Sequence, residues 1–289
     1  MNKKRKIDKI DIIVFIVLTM WGLSILIPFV NVLAVSFSTQ KEYLETPLLL
    51  WPKKPTLENY AALFRNGRIL IGYRTTLQLI GIALPVNLFL TICAAYGLSR
   101  KGYPGRKLFM KFVVFTMLFS GGIIPLYLTV RSYGLIGSLW GVALSTGLNT
   151  FYMIIMLNFF ASLPDSLIES AKLDGAGEYT IMFRIILPLS KAVLATVTLY
   201  YLVDRWNEWY HAMIMIRDTA KTPLQVILRS IILDSQLLDE VVTESVDIFS
   251  FSDGLKMGSI VVVMLPVMCV FPFLQKHFVK GVLIGAIKA

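Results

Sequence analysis

The chain has 289 residues, of which 56% are hydrophobic and 16% are charged. About a quarter of the residues of a soluble domain are charged, so this composition indicates a membrane protein. The formal net charge is +10. The cations flank apolar runs and form no basic groove interleaved with aromatic residues, which argues against a nucleic-acid partner.

Six transmembrane helices are predicted, because a membrane-spanning helix requires roughly 20 consecutive apolar residues. The predicted spans cover about residues 12–35, 75–99, 112–130, 137–160, 188–207 and 257–275. The fifth is the weakest, since only 12 residues separate Lys191 from Asp204. We expect Pro85 and Pro125 to kink their helices. Residues 1–289 are thus predicted to form a single all-α transmembrane domain.

The positive charge predicts that both chain termini are cytoplasmic. With six spans, the N-terminal segment, the loops after spans two and four, and the C-terminal tail share one side of the membrane. These regions hold 16 of the 28 Lys and Arg residues and six of the 18 acids. The net charge of +10 therefore lies on one face, as the positive-inside rule requires of the cytoplasmic face.

The predicted cytoplasmic loop, residues 161–188, has the pattern of two short helices. Ser162 is predicted to cap the first helix, with Pro164 in its first turn. Gly175 and Gly177 are predicted to end it, before a second helix over residues 178–187. An amphipathic connector in the lipid interface is one interpretation. Docking into a protein groove is the other, and the acidic character of the first helix favours it.

This loop resembles the coupling-loop signature of binding-protein-dependent ABC importer permeases. That signature reads Glu-Ala-Ala, three residues, Gly, nine residues, and Ile-x-Leu-Pro. The chain has Glu169-Ser170-Ala171, Gly175 and Ile185-Ile186-Leu187-Pro188 at the same spacing, with serine in place of the first alanine. Trp206-Asn207-Glu208 and the ending around Gly281 resemble the maltose-transporter permease type, closest to members for complex oligosaccharides.

The resemblance implies a type I ABC importer permease fold with a cytoplasmic coupling helix. It also implies a second, related permease, expected as a heterodimer partner, two ATPase subunits that use ATP and Mg, and an extracytoplasmic solute-binding protein. The residues that it places at the ATPase interface are Glu169, Ser170, Ala171, Asp174, Gly175, Ala176, Ile185, Leu187 and Pro188. Gly281, Gly285 and Lys288 of the tail are implied to lie near the ATPases.

The chain itself is expected to be neither an enzyme nor a cofactor carrier. It has no Gly-x-x-x-x-Gly-Lys-Ser/Thr phosphate loop and no metal-ligand spacing of His, Cys and carboxylates. Cys93 and Cys269 both lie in apolar runs.

Candidate residues for the substrate path are amides and aromatics within the spans, because sugar sites combine aromatic faces with hydrogen-bonding groups. They are Asn87, Asn149, Tyr152, Asn158, Tyr200, Trp206 and Asn207. For each, a helix–helix hydrogen bond or an interfacial aromatic is the alternative interpretation. The sequence does not identify the sugar, or whether the partner permease makes the contacts.

Two rival functions remain. A permease of an ABC importer for a non-sugar solute would carry the same coupling loop. An ATP-independent carrier or channel would have no use for that loop. An ion-coupled carrier also normally needs ionisable groups within its spans, and the five stronger spans contain none.

Overall fold

The computed structural model describes residues 9–46, 48–65, 67–100, 102–241 and 252–286, and every regular element in these ranges is helical. The predicted all-α class is confirmed. The α-helices are α1 (Lys9–Ser36), α2 (Gln40–Glu45), α3 (Glu58–Arg65), α4 (Arg68–Ser99), α5 (Arg106–Leu118), α6 (Ile123–Ser132), α7 (Leu139–Ser145), α8 (Thr150–Ala161), α9 (Asp165–Leu173), α10 (Glu178–Ile181), α11 (Leu187–Leu189), α12 (Lys191–Trp206), α13 (Tyr210–Met215), α14 (Leu224–Val241) and α15 (Ser252–Ala286). A π-helical turn, Met182–Ile186, joins α10 to α11, and a 3-10 turn, Thr219–Lys221, precedes α14.

Three helices are individually long and apolar enough to cross a membrane. They are α1, α4 and the first part of α15, Ser252–Cys269. The predicted spans 12–35 and 75–99 lie within α1 and α4. The predicted span 257–275 lies within α15 but extends beyond its apolar first part, which ends at Cys269. Apolar side chains surround α1 and stay exposed over most of its length, as expected of a helix that contacts lipid.

The other three predicted spans are each broken into two helical segments. The axes bend by 113° between α5 and α6, by 56° between α7 and α8, and by 84° between the segment Glu178–Leu189 and α12. By length and composition the described residues provide three spans, or up to six if each bent pair counts as one. The number six therefore stays a prediction.

The predicted span over residues 112–130, which was expected to kink at Pro125, consists of two helices. α5 ends at Leu118, and α6 begins at Ile123 after Gly122, whose φ of +85° is incompatible with helix continuation. Pro125 lies in the first turn of α6 and not in the middle of a helix. Because first-turn N–H groups have no intrahelical acceptor, proline fits there without kinking the helix.

Two further predicted boundaries are corrected. Residues 137–160 do not form one helix, because α7 ends at Ser145 and α8 begins at Thr150. Within the fifth predicted span, α12 begins at Lys191, after the bend at Ser190, and Pro188 belongs to the helical segment before the bend. Its predicted end is close to the observed one, since α12 ends at Trp206.

The described residues divide into two compact units, one within residues 1–69 and 228–265 and the other within 70–227 and 266–289. In the first unit, Ala34, Val35 and Leu49 form a small buried cluster. The buried Asn59 amide donates to the carbonyls of Ser36 and Ser38, at 3.1 and 3.0 Å. The segment after α1 is thus folded onto the end of that helix.

The main core of the second unit joins α4, α8, α9, α10 and α12. Its completely buried side chains include Met153, Met156, Ile181, Ile186 and Tyr201. The segment with the coupling-loop signature is therefore packed onto the helices and is not an independent loop.

Candidate functional site

The first helix of the predicted coupling loop is α9, and it begins later than the sequence indicated. Pro164 occupies the N-cap position, and no side chain caps the helix. The hydroxyl of Ser162 donates to the Phe159 carbonyl at 2.7 Å. Ser162 thus hydrogen-bonds to the last turn of α8, and the prediction that it caps α9 is wrong.

The end of α9 is fixed by glycine, as predicted. Gly175 has φ +78°. Its N–H donates to the Lys172 carbonyl at 3.0 Å, and the Ala176 N–H donates to the Ala171 carbonyl at 2.9 Å. These two bonds form a Schellman motif, which satisfies the last carbonyls of the helix and requires a left-handed residue. Gly177 has φ −74° and precedes α10.

The signature residues divide between an inner and an outer face. Ala171, predicted to contact an ATPase, is 8% exposed and packs with Ile168 in the core. Its small side chain lets α9 lie close to α10. Ile185 and Leu187 are half-buried against the same cluster. Ala176, half-buried, packs there as well. The outward-facing signature residues are Glu169, Ser170, Asp174, Gly175 and Pro188.

Beside them lie large apolar side chains that the sequence analysis did not single out. Leu173 is 89% exposed and Tyr179 is 80% exposed. Leu167 and Phe183 are also exposed. We name these four residues the exposed apolar knob. These four residues lie on α9, α10 and the π-helical turn that follows, and large exposed apolar side chains in one segment suit an interaction surface.

An ion pair and a tyrosine attach this knob to the end of α4. Lys172 Nζ lies 2.7 Å from Glu178 Oε1. The hydroxyl of Tyr96 donates to Glu178 Oε2 at 2.6 Å. Lys172 and then Tyr96 hold the pKa of Glu178 below its ordinary value. The Arg100 guanidinium lies 4.2 Å from the centre of the Tyr96 ring, so a cation–π contact adds to this connection.

A cavity of about 630 Å³ opens next to this connection. Acidic and basic side chains both line it, which suits contact with polar groups of another molecule more than an apolar ligand. The lining residues are Tyr96, Gly97, Arg100, Gly102, Tyr103, Pro104, Asp165, Ile168, Glu169, Lys172 and Glu178.

Two of the predicted substrate-path residues form hydrogen bonds with backbone groups at the break between α7 and α8. The buried Asn87 of α4 donates its amide to the carbonyls of Thr146 and Gly147, at 2.9 and 2.8 Å. Asn149 caps α8, its side-chain oxygen accepting from the Phe151 N–H at 2.9 Å. Backbone groups freed by a helix break within a membrane need such partners, since lipid offers none. The hydrogen bonds of Asn87 fit the alternative of helix–helix hydrogen bonding, whereas the side chain of Asn149 caps its own helix.

α12 supplies the remaining partners of this break. The Tyr201 hydroxyl accepts from the Asn149 N–H at 2.9 Å and lies 2.7 Å from the hydroxyl of Thr91. The Arg205 guanidinium donates to the hydroxyl of Thr146. Arg205 is only 5% exposed and is thus a buried structural residue. The sequence analysis did not single out this arginine.

The Trp-Asn-Glu sequence ends α12 with a second polar cluster. Arg205 Nη1 lies 3.6 Å from Glu208 Oε2, and Glu208 accepts from the His211 N–H at 3.0 Å. Trp206 is buried, with its ring 6.1 Å from that of Tyr73. Asn207 is exposed and accepts from the Gln225 amide at 3.2 Å. Trp206 therefore packs inside the chain, whereas Asn207 remains accessible.

The other three path candidates differ in their surroundings. Tyr152 and Tyr200 stack with ring centres 5.1 Å apart. The Tyr152 hydroxyl donates to Asp204 Oδ2 at 2.9 Å. Asn158 is exposed on α8 and lies apart from this group. The structure thus brings two candidates together and adds Asp204, which the sequence analysis took only as the boundary of a weak span.

The predicted tail residues are only partly within the described ranges. Gly281 and Gly285 lie in α15, and Lys288 lies outside the described residues. Their predicted position near the ATPases stays a prediction.

Comparison with a family model places most of the chain in one family. Residues 61–284 match the model described as "Binding-protein-dependent transport system inner membrane component".

Two proteins of Bacillus subtilis (strain 168) are similar over nearly the full length. One is Protein LplC, 40% identical over 267 residues, which are 92% of this chain and 90% of LplC. The other is the polygalacturonan/rhamnogalacturonan transport system permease protein YtcP, 40% identical over 285 residues, which are 96% of this chain and 98% of YtcP.

A solved structure shares the fold. It is a chain of a bacterial ABC transporter involved in the import of the acidic polysaccharide alginate, with a TM-score of 0.84 and 29% identity. The match covers 96% of this chain and all of that one. The type I ABC permease fold is thus confirmed.

Proposed function

Because the chain belongs to the family of binding-protein-dependent transport system inner membrane components, we propose that it is a membrane-spanning subunit of an ATP-driven importer that carries an oligosaccharide. Two similar proteins support the sugar: YtcP is named for polygalacturonan and rhamnogalacturonan, and the solved transporter is involved in the import of the acidic polysaccharide alginate. In this proposal an extracytoplasmic binding protein delivers the sugar, and a related permease completes the pathway as a heterodimer partner.

The ATPase activity belongs to two further subunits, which bind ATP and Mg. The observation that supports their docking here is the exposed apolar knob. Leu173 and Tyr179 stand almost fully in solvent, although the α9 residues beneath them are buried. Exposed apolar side chains on a helix whose inner face is firmly packed are suited to insertion into a cleft of another subunit.

Movement of the knob is passed on through packed helices. α9 shares one buried cluster with α8, α10 and α12, and packed cores move as units because they resist deformation. The π-helical turn Met182–Ile186 and the 84° bend at Ser190 lie between the knob and α12. A π-turn is a common feature of functional sites in helices. We assign the bend as the hinge of alternating access.

ATP binding shifts such a permease only if it favours one conformation over the other. Closure of the ATPases around nucleotide supplies this difference, because it changes the distance between the two knobs of the permease pair. The ion pair of Lys172 with Glu178 and its bond to Tyr96 extend the same movement to α4.

The test is co-expression of the chain with its partner permease, binding protein and ATPase, followed by purification and reconstitution in liposomes. Leu173→Glu places a charge on a side chain that is 89% exposed, so folding should not change. We expect loss of most ATPase co-purification and at least a tenfold drop in binding-protein-stimulated ATP hydrolysis.

The matched control is Leu44→Glu. Leu44 is a 70% exposed leucine of α2, on the predicted opposite side of the membrane, and its substitution should leave ATPase co-purification intact. Equal co-purification of both variants would contradict docking at the knob. If no ATPase ever co-purifies, a carrier or channel is the better description.

A further inference from the structure

α12 carries two neighbouring stripes of residues at a spacing of four. Val193, Val197, Tyr201 and Arg205 form a buried stripe. Residues four apart lie on the same side of a helix, so Thr196, Tyr200 and Asp204 form a second stripe. All three are half-buried. This polar stripe therefore runs along a predicted membrane span. It lies directly beside the buried stripe, which packs α12 against its neighbouring helices.

Tyr152 of α8 contacts the polar stripe, and three side chains of α12 fix its position. Its ring stacks on Tyr200 at an interplanar angle of 27° and meets Tyr201 edge-on, with ring centres 5.0 Å apart. Its hydroxyl donates to Asp204 Oδ2. The buried Tyr201 is itself fixed by Thr91 and the Asn149 N–H. The tyrosine pair and the carboxylate are thus preorganised.

The Asp204 carboxylate does not have the neighbours of a structural ion pair. Arg205 is directed to Thr146 and Glu208, and consecutive helix residues do not face each other. Among the described residues, Tyr152 is the one hydrogen-bond donor to Asp204. An acid in a membrane span faces protein or water and not lipid, and such acids mark substrate pathways. This half-exposed side of α12 therefore faces a partner subunit or an aqueous path.

We propose, on the basis of the importer function proposed above, that Tyr152, Tyr200 and Asp204 form a contact site for an uncharged sugar unit on the translocation path. A sugar ring packs on the tyrosine pair, and one of its hydroxyl groups donates to the free carboxylate oxygen. A carboxylate at this position repels a uronic acid, so this contact favours neutral units, in contrast to the acidic alginate of the solved transporter.

The first experiment measures access by cysteine labelling in the reconstituted complex. Cys93 and Cys269 are the only native cysteines, and both are replaced by serine. Asp204→Cys and Tyr200→Cys are then treated with a charged, membrane-impermeant methanethiosulfonate. We expect both to react. Val197→Cys, from the buried stripe of the same helix, is the matched control and should not react.

The second step adds sugars before the reagent. The probes are a pool of neutral gluco-, xylo- and arabino-oligosaccharides and a pool of oligogalacturonides, each with the binding protein and ATP. The labelled position is Thr196→Cys, a half-buried position of the same stripe that leaves Tyr152, Tyr200 and Asp204 in place. We expect the neutral pool to slow its labelling at least threefold and the acidic pool to leave it unchanged. No labelling at either position of the first experiment overturns the aqueous path, and labelling that neither pool slows overturns the sugar contact.

Slowing by the acidic pool alone overturns the preference for neutral units. Asp204→Asn, which keeps an acceptor for Tyr152 and removes the charge, should reduce the preference for neutral over acidic probes by at least threefold. Binding-protein-stimulated ATP hydrolysis in the same samples reports on the proposed function separately. Labelling can fail while that stimulation persists, and then only the contact site is wrong.

Discussion

Asn87 donates its side-chain amide to the carbonyl of Thr146 at 2.9 Å, and so connects α4 to the break between α7 and α8. The two residues are 59 positions apart in the chain. The same amide also reaches the Gly147 carbonyl. A single side chain therefore satisfies two carbonyls that a continuous helix would have satisfied internally.

Asn87→Leu should destabilise the chain by about 1–3 kcal/mol, because it leaves buried carbonyls without donors while keeping a similar volume. The measurement is thermal or denaturant unfolding of the purified complex in detergent. Asn158→Leu is the control, since Asn158 is exposed on α8, and its effect should stay within about 0.5 kcal/mol. Equal effects of the two substitutions would show that the break does not depend on Asn87.

Tyr201→Phe should cost about 1–2 kcal/mol, because it removes the acceptor of the Asn149 N–H and the partner of Thr91. Thr91→Val removes one of the same contacts. Since both substitutions act on one hydrogen-bonded group, their effects should be less than additive in a double-mutant cycle. Strict additivity would contradict the shared network. Tyr133→Phe, at a 75% exposed position, provides the control.

Gly175→Ala should weaken the connection between α9 and α10 by about 1 kcal/mol, because an L-residue with a side chain disfavours left-handed backbone. A Cβ at Gly175 would meet no atom within 4 Å, so the cost comes from backbone strain alone. Gly177→Ala is the matched control: it also has open space, and its φ is −74°.

The readouts for this pair are unfolding stability and binding-protein-stimulated ATP hydrolysis. We expect both to fall in Gly175→Ala and to remain near wild type in Gly177→Ala. A similar fall in both variants would indicate that the loop simply tolerates no alanine, whatever its backbone conformation.

Glu178→Gln should remove a contribution to stability that depends on pH. The pKa of Glu178 is lowered in the folded chain by Lys172 and then Tyr96. The contribution is therefore fully present above the unfolded-state pKa of about 4.3 and is lost as the pH falls through the lower folded-state pKa. Its size is about 0.5 kcal/mol, because solvent screens an exposed pair.

Unfolding midpoints of wild type and Glu178→Gln should thus differ at pH 7 and converge as the pH falls below about 4. Glu58→Gln, at an exposed position of α3, should show no such convergence. A difference that persists unchanged at low pH would mean that Glu178 acts through its shape and not its charge.

The sequence predicts the helical class and the positions of the long helices, because apolar runs of sufficient length have few other structures in lipid. It also predicts the role of Gly175, since few residues other than glycine suit the end of α9. The break between α7 and α8 was not predicted, because residues 146–149 are as uncharged as their neighbours and their partners lie on other helices.

The sequence also did not predict hydrogen bonds between residues in distant segments of the chain. Tyr96 and Glu178 are 82 residues apart, and neither belongs to a pattern that links them. Asp204 was taken as the edge of a weak span because charge usually ends an apolar run. Its bond to Tyr152 follows only from the packing of α8 against α12.

The polar partners of α12 set the order in which the chain can be assembled in the membrane. α12 has 16 residues and carries Asp204 and Arg205 in its last turn, where a charge costs less on insertion than the about 2.5–3.5 kcal/mol that it costs at the centre of an isolated helix. Thr91, Thr146 and Asn149 all precede α12 in the chain and are synthesised first. The newly made segment thus enters a bilayer that already holds these hydrogen-bond partners, and its packing depends on helices that were synthesised earlier.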